Sequence, residues 1–122
     1  AFWDVMPTLC DIAETNAPAY TDGISFLPVL LNQEQQEHKY LYWEFAGYNG
    51  QQAVRMDSWK AIRKDILKGN LDIELYNLDE DIKEENNVAA DFPLIIKQME
   101  EIMKKEHTPS SIERFRLEAL GD

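Results

Sequence analysis

An α+β fold is what this sequence predicts: a four-stranded antiparallel sheet packed by a C-terminal helix and preceded by a short helix. Three observations carry that expectation. Residues 40–63 combine dense aromatic and β-branched content with a hairpin pattern, running Tyr40-Leu41-Tyr42-Trp43-Glu44-Phe45, then Gln52-Ala53-Val54-Arg55-Met56, then Trp59-Lys60-Ala61-Ile62-Arg63. Ile73-Glu74-Leu75-Tyr76-Asn77-Leu78 alternates as a fourth strand. Phe92, Ile95, Ile96, Met99, Ile102 and Met103 recur at helical spacing and form one apolar stripe. Strands in succession followed by a helix, with no helix between strands, argue for an antiparallel sheet covered on one face.

The elements follow in chain order. Val5, Met6, Leu9, Cys10, Ile12 and Ala13 mark a helix over 5–14, with Asp4 as its N-cap and Pro7 in its first turn. It ends near Asn16-Ala17-Pro18, since the residue before a proline resists helical geometry. Cys10 lies on the apolar stripe and reads as a small buried hydrophobe, with no activating neighbour evident in sequence. Residues 15–25 form a loop containing the Asp22-Gly23 turn, and Phe26 to Leu31 contain one helical turn around Pro28. The polar run Asn32 to Glu37 reads as an exposed linker.

In the first strand Tyr40, Tyr42 and Glu44 point one way and Leu41, Trp43 and Phe45 the other. Met56-Asp57-Ser58-Trp59 has the spacing of a two-residue hairpin. That register sets Val54 across from Ala61 in an apolar patch, and puts Arg55 beside Lys60 and Ala53 across from Ile62 on the opposite face. Two adjacent cations require an acidic group nearby. Residues 65–71 are a connection holding Gly69-Asn70. Asp91 is the expected cap of the last helix, with Pro93 in its first turn and Glu100–Lys104 and Glu101–Lys105 as outer-face pairs. Ile112, Phe115, Leu117 and Leu120 are candidate contacts in the tail.

Composition narrows the function classes. A chain of 122 residues suits one compact domain, and 44% hydrophobic content argues for folding. The net charge of −11, concentrated in residues 65–91, argues against nucleic acid and anionic membranes. No apolar run approaches the roughly 20 residues needed to span a bilayer. The acidic block Asp79 to Asn87 fails the calcium-loop pattern, because Lys83 and Glu84 stand where a ligand and the turn glycine are required. Two histidines, one cysteine and no glycine-rich phosphate loop equip the chain poorly for catalysis by itself. We therefore expect no catalytic residue and no metal ligand in it.

Several segments resemble the sulfatase family, of the arylsulfatase type within the alkaline-phosphatase-like superfamily. Asp4-Val5-Met6-Pro7-Thr8-Leu9-Cys10-Asp11-Ile12-Ala13 is similar to its D-[IV]-x-P-T-L-x-D-x-A segment, and Asp22-Gly23-Ile24-Ser25-Phe26-Leu27-Pro28-Val29-Leu30 to its D-G-x-S-[LF]-x-P-x-L. The three strands of residues 40–63 resemble its Y-W-E-F, Q-A-V-R and W-K-x-[IV]-R strands. Glu74-Leu75-Tyr76-Asn77-Leu78 through Asp81, Glu85, Asn87, Val88 and Ala89 is similar to E-L-Y-[DN]-L-x-x-D-x-x-E-x-x-[ND]-[LV]-A. His107-Thr108-Pro109-Ser110 looks like the tail of many bacterial members. The segments fall in the family's order and cover nearly the whole chain.

The resemblance implies the C-terminal part of such an enzyme. Residues 1–32 would be the last helix and connection of the catalytic α/β domain, and residues 33–122 the C-terminal subdomain. The family's nucleophile is a formylglycine made within C-x-[PA]-x-R. Cys10 is followed by Asp11-Ile12-Ala13-Glu14, so it is not that residue. Formylglycine and calcium are then expected upstream, with an N-terminal catalytic domain as partner and a sulfated carbohydrate or aryl sulfate as substrate. The resemblance implies a periplasmic, extracellular or lysosomal location. Glu44, Gln52 and Arg55, with Trp43 and nearby Tyr48, are candidate substrate-rim contacts, combining charged or amide hydrogen bonds with a flat stacking face. The competing reading puts Trp43 and Trp59 in the core and pairs Arg55 with an internal carboxylate. A freestanding carbohydrate- or protein-binding module is the alternative function, and a metal-dependent phosphatase or phosphonate hydrolase of the same superfamily is less well matched.

Overall fold

A tight turn at Asp57-Ser58 sets the register of the sheet. Asp57 takes the left-handed conformation there (φ 51°), which lets the chain reverse within two residues. In the computed structural model, which describes residues 1–122, four strands pair in sequence order: β1 (Leu41–Phe45), β2 (Gln51–Met56), β3 (Trp59–Lys64) and β4 (Ile73–Asn77). All pairs are antiparallel, and Met56 opposes Trp59, Val54 opposes Ala61 and Ala53 opposes Ile62, as the hairpin pattern predicts. The chain divides into two compact units, Ala1–Lys39 and Tyr40–Asp122, and the sheet lies wholly within the second.

Three helices are present: α1 (Val5–Ile12), α2 (Leu27–Leu30) and α3 (Pro93–Glu106). α3 lays its apolar stripe on the face of the sheet that carries Val54, Ala61 and Leu75, where Met99, Ile102 and Met103 are buried against them. Burying Leu75 or Met103 contributes roughly 1.5–3 kcal/mol each. Tyr40, Tyr42, Met56 and Trp59 surround this core, and Trp59 packs at a tilt against Phe92 with ring centroids 4.7 Å apart. The helix start differs from the expected Asp91 cap. Ala89–Asp91 form a 3-10 turn, and Phe92 occupies the N-cap position with no side-chain bond. Its carbonyl accepts from Ile95 and Ile96, while Pro93 at the first position has no N–H to satisfy. Glu100 pairs with Lys104 at 3.1 Å, as expected. Glu101 pairs instead with Lys97 at 4.0 Å, because Lys105 reaches Glu106 and the Tyr40 hydroxyl, each at 2.6 Å.

Connections in the second unit are built, not slack. The stretch after β3, expected as a plain loop, contains a 3-10 turn (Ile66–Lys68) that buries Ile66 completely. Leu117 from the tail is buried beside it, against Gly50. Asn87 caps the edge of β4 by accepting from Leu75 and Ala89 N–H, each at 3.0 Å. The acidic block closes on itself: Asp81 accepts from the Glu85 and Asn86 amides at 3.1 and 2.8 Å. Those bonds, that from Asn86 foremost, hold the Asp81 carboxyl below the usual carboxylate range.

The first unit is held by polar ties. Asp4 stands at the N-cap position of α1, as expected, but its side chain makes no capping bond. It is buried, and its carboxylate accepts from the Ile24 amide at 2.8 Å and meets His38 Nε2 at 2.8 Å. Thr8 accepts from the Phe26 amide at 3.0 Å, and Gln35 donates to the Ser25 carbonyl at 2.9 Å. The Asn32 to Glu37 run, expected as an exposed linker, is thereby fastened at Gln35 within the first unit. α1 stops at Ile12 because Glu14 turns left-handed (φ 53°). Met6, Leu9 and Ile12 are exposed along it, and Cys10 is half-buried in the same apolar groove. No helix is long and apolar enough to cross a membrane.

Candidate functional site

Three neighbouring strands deliver a polar row to the helix-covered face of the sheet. Glu44 lies opposite Gln52, and Gln52 opposite Arg63, one pleat away from the Tyr42–Val54–Ala61 row that belongs to the core. Gln52 and Arg63 are buried, at 2% and 4% exposure, so each needs partners for its polar atoms. The Gln52 amide supplies most of them. Its Nε2 donates to Glu44 Oε2 and to the Tyr42 hydroxyl, both at 2.9 Å, and its Oε1 accepts from Arg63 Nη1 at 3.0 Å. The Tyr42 hydroxyl also donates to Glu44, and Arg63 Nε donates to the Leu71 carbonyl at 3.0 Å.

His107 joins this row to the tail. It follows α3 in an extended conformation, with Nδ1 2.8 Å from Glu44 Oε2 and Nε2 2.5 Å from Asp122 Oδ1. Ionised carboxylates only accept, so both contacts are satisfied together by the imidazolium, which donates from both nitrogens. Burial pulls the His107 pKa down, but the bonds to Glu44 and Asp122 outweigh it and the net shift is upward. For Asp122 burial pushes upward, and the Leu117 amide at 2.7 Å together with His107 brings the carboxyl below its ordinary value. Burial, then the bond to Glu44, push the Tyr42 phenol up, so it remains a donor. Burial lowers the Arg63 pKa, with Glu100 and Tyr42 opposing it; a guanidinium nevertheless stays charged at working pH.

Beside this network lies a cleft of about 390 Å³, lined by Gln52, Arg63, Glu100, Lys104 and His107 together with apolar Leu71, Met103 and Leu120. Its lining sets the polar donors and the Glu100 carboxylate around a small apolar floor. No group of three His, Cys, Asp or Glu side chains is placed to hold a metal ion.

The four residues singled out in sequence do not converge. Glu44 and Gln52 meet in the polar row. Trp43 and Arg55 project from the other face of the sheet, where Trp43 opposes Ala53 and Arg55 lies between Leu41 and Lys60. Strand alternation thus separates Glu44 from the Arg55–Lys60 side, and the proximity expected for them does not hold. Trp59 packs on the core, whereas Trp43 is 40% exposed. The anions required by the basic patch are Glu84, 2.5 Å from Lys60, and Glu74, 2.6 Å from Lys64. Arg55 is exposed and forms no ion pair. Tyr42, Arg63, His107 and Asp122 were missed. Stepping one pleat from the Val54–Ala61 pair reaches Gln52 opposite Arg63, so that part was available from the register. His107, at a helix end, reads simply as a residue favourable to the dipole, and nothing in sequence brings Asp122 back to it.

The backbone places the chain among sulfatases. A solved 2-O GAG sulfatase matches with a TM-score of 0.73 and 29% identity, over 84% of this chain and 23% of that one. A family model described as N-sulphoglucosamine sulphohydrolase, C-terminal, matches residues 2–109, and the chain belongs to that family as a C-terminal sulfatase portion. Among curated proteins it is 35% identical over 95 residues to the Delta 4,5-hexuronate-2-O-sulfatase of Bacteroides thetaiotaomicron, covering 72% of this chain and 19% of that protein. It is 27% identical over 109 residues to Arylsulfatase K of Danio rerio, covering 83% of this chain and 20% of that protein. The chain spans about a fifth of the length of these curated relatives.

Proposed function

We propose that this chain serves as the C-terminal subdomain of a sulfuric ester hydrolase acting on a sulfated sugar, or on an aryl sulfate, and that it is not catalytic alone. The family match over residues 2–109 carries the reading. In this proposal an upstream catalytic α/β domain, to which residues 1–32 belong, supplies the formylglycine nucleophile and the calcium ion, and the assembled enzyme is exported or lysosomal. The subdomain's share is packing and contact at the substrate rim. Its candidate contacts form two sets that one sugar ring cannot touch together, since they lie on opposite faces of the sheet. Gln52 faces the cleft with Glu44 behind it. On the other face Trp43 offers a flat ring and Arg55 an unpaired guanidinium, suited to a sugar face and a sulfate respectively.

The test compares the 122-residue chain with the same chain joined to its upstream reading frame, assayed on an aryl sulfate and on sulfated disaccharides. Turnover by the joined protein and none by the chain alone is expected. Turnover by the chain alone would sink the claim that it is catalytically empty. An upstream frame lacking C-x-[PA]-x-R would favour a freestanding binding module.

A further inference from the structure

We infer that the cleft between the polar row, α3 and the tail is a binding site for a monosaccharide unit carrying a sulfate, with Arg63 and Lys104 as its anion-recognising groups. The charge pattern is the first argument. The whole chain carries a net −11, yet the charged side chains lining this cleft are Arg63, Lys104 and His107 against the single carboxylate Glu100. Glu44 and Asp122 face His107 from behind, on β1 and the tail, and take both of its ring nitrogens, so the cations left for a ligand are Arg63 and Lys104. Cations left at a cavity wall of an acidic protein attract an anion over other solutes.

Arg63 is the second. Its Nε and Nη1 donate to Leu71 and Gln52, but Nη2 has no acceptor at hydrogen-bond distance, its nearest carboxylate oxygen being Glu100 Oε1 at 3.8 Å. A guanidinium that is 4% exposed and still has donors to spare, at the wall of a cavity, is prepared for an oxyanion. Lys104 stands one turn along α3 from Glu100, 68% exposed at its side chain, so it can swing from that carboxylate to a ligand. Size and lining give the rest. About 390 Å³ holds one sugar ring with its substituents, and Leu71, Met103 and Leu120 offer it an apolar contact. The oxyanion follows from the cleft alone; its sugar carrier rests on the function proposed above.

The experiment is a titration of the 122-residue chain followed by amide NMR, with glucosamine 6-sulfate, unsulfated glucosamine and inorganic sulfate as probes. Saturable shifts at Gln52, Arg63, Lys104 and His107 are expected for the sulfated sugar, with affinity at least about tenfold above either other probe. Lys104→Gln should weaken that binding several-fold while the melting midpoint stays in place. Equal affinity for unsulfated glucosamine or for inorganic sulfate would overturn the proposal, as would shifts confined to the Trp43–Arg55 face or no saturable shift. A chain that fails this titration yet supports turnover when joined to its upstream region would refute the cleft and leave the sulfatase reading standing.

Discussion

Gly50 is one backbone angle on which two loops depend. Its φ of +79° is open to glycine and strained for other residues, and an added Cβ would stand 2.8 Å from Leu117 Cδ2 and 3.2 Å from Ile66 Cβ. Its carbonyl also accepts from the Ile66 amide at 3.2 Å, so the β1–β2 loop and the turn after β3 are locked together there. Gly50→Ala is expected to destabilise the second unit by about 1–3 kcal/mol, combining the left-handed strain with a crowded contact. Urea unfolding reads it, and a midpoint within error of the parent would refute the account. Gln52 makes the complementary case by chemistry. Gln52→Leu keeps the volume but strands Arg63 Nη1 and removes one of the donors to Glu44 Oε2, and should cost about 1–3 kcal/mol. Gln52→Glu should be worse, since it sets a second carboxylate against Glu44.

The tail behaves as an element with two anchors. Leu117, 1% exposed, fills the socket at Gly50 and Ile66, and Asp122 accepts from the Leu117 amide while holding His107. The His107 pKa is raised on folding, so its contribution is complete below the unfolded value near 6.5 and is lost as pH rises through the folded value. Asp122 is depressed, so its contribution is complete above the unfolded value and is lost as pH falls through the folded one. The contribution of this pair is therefore largest between the unfolded value of Asp122 and that of His107. The charged groups facing His107 and its cleft are Glu44, Asp122, Glu100, Arg63 and Lys104. Melting midpoints from about pH 6 to 9 should fall for the parent chain and stay nearly flat for His107→Gln; equal slopes would show that His107 does not hold the tail. The same elements show what was legible in the sequence. The sheet and its pairing were, because a period of two and a tight turn fix register without outside help. The start of α3 was not, because Asp91 is taken up in a 3-10 turn and Phe92, packed against Trp59, stands at the N-cap position. Within the candidate site Glu44 and Gln52 were found, but their union with His107 and Asp122 depends on irregular chain whose path no local periodicity dictates.

At the scale of the whole chain the two units differ in what holds them. Tyr40–Asp122 contains a core of its own, from Val54, Ala61 and Leu75 to Met99, Ile102 and Met103, and its free β4 edge is capped by Asn87. Its ion pairs, among them Lys60–Glu84, Lys64–Glu74 and His107–Asp122, all close within it. Ala1–Lys39 has no comparable cluster: Asp4 and Thr8 are buried by hydrogen bonds, while Met6, Leu9 and Ile12 remain exposed on α1. Short helices without a packed apolar face are marginal in water. A chain beginning at Tyr40 is accordingly expected to fold by itself, with a strand-rich circular dichroism spectrum and one cooperative thermal transition. A peptide of residues 1–39 is expected to show neither. Loss of the cooperative transition in the longer piece would mean that its core is insufficient alone. A folded, cooperatively melting peptide of residues 1–39 would mean that the polar ties of Asp4, Thr8 and Gln35 stabilise far more than the roughly 1 kcal/mol each assigned to such bonds here.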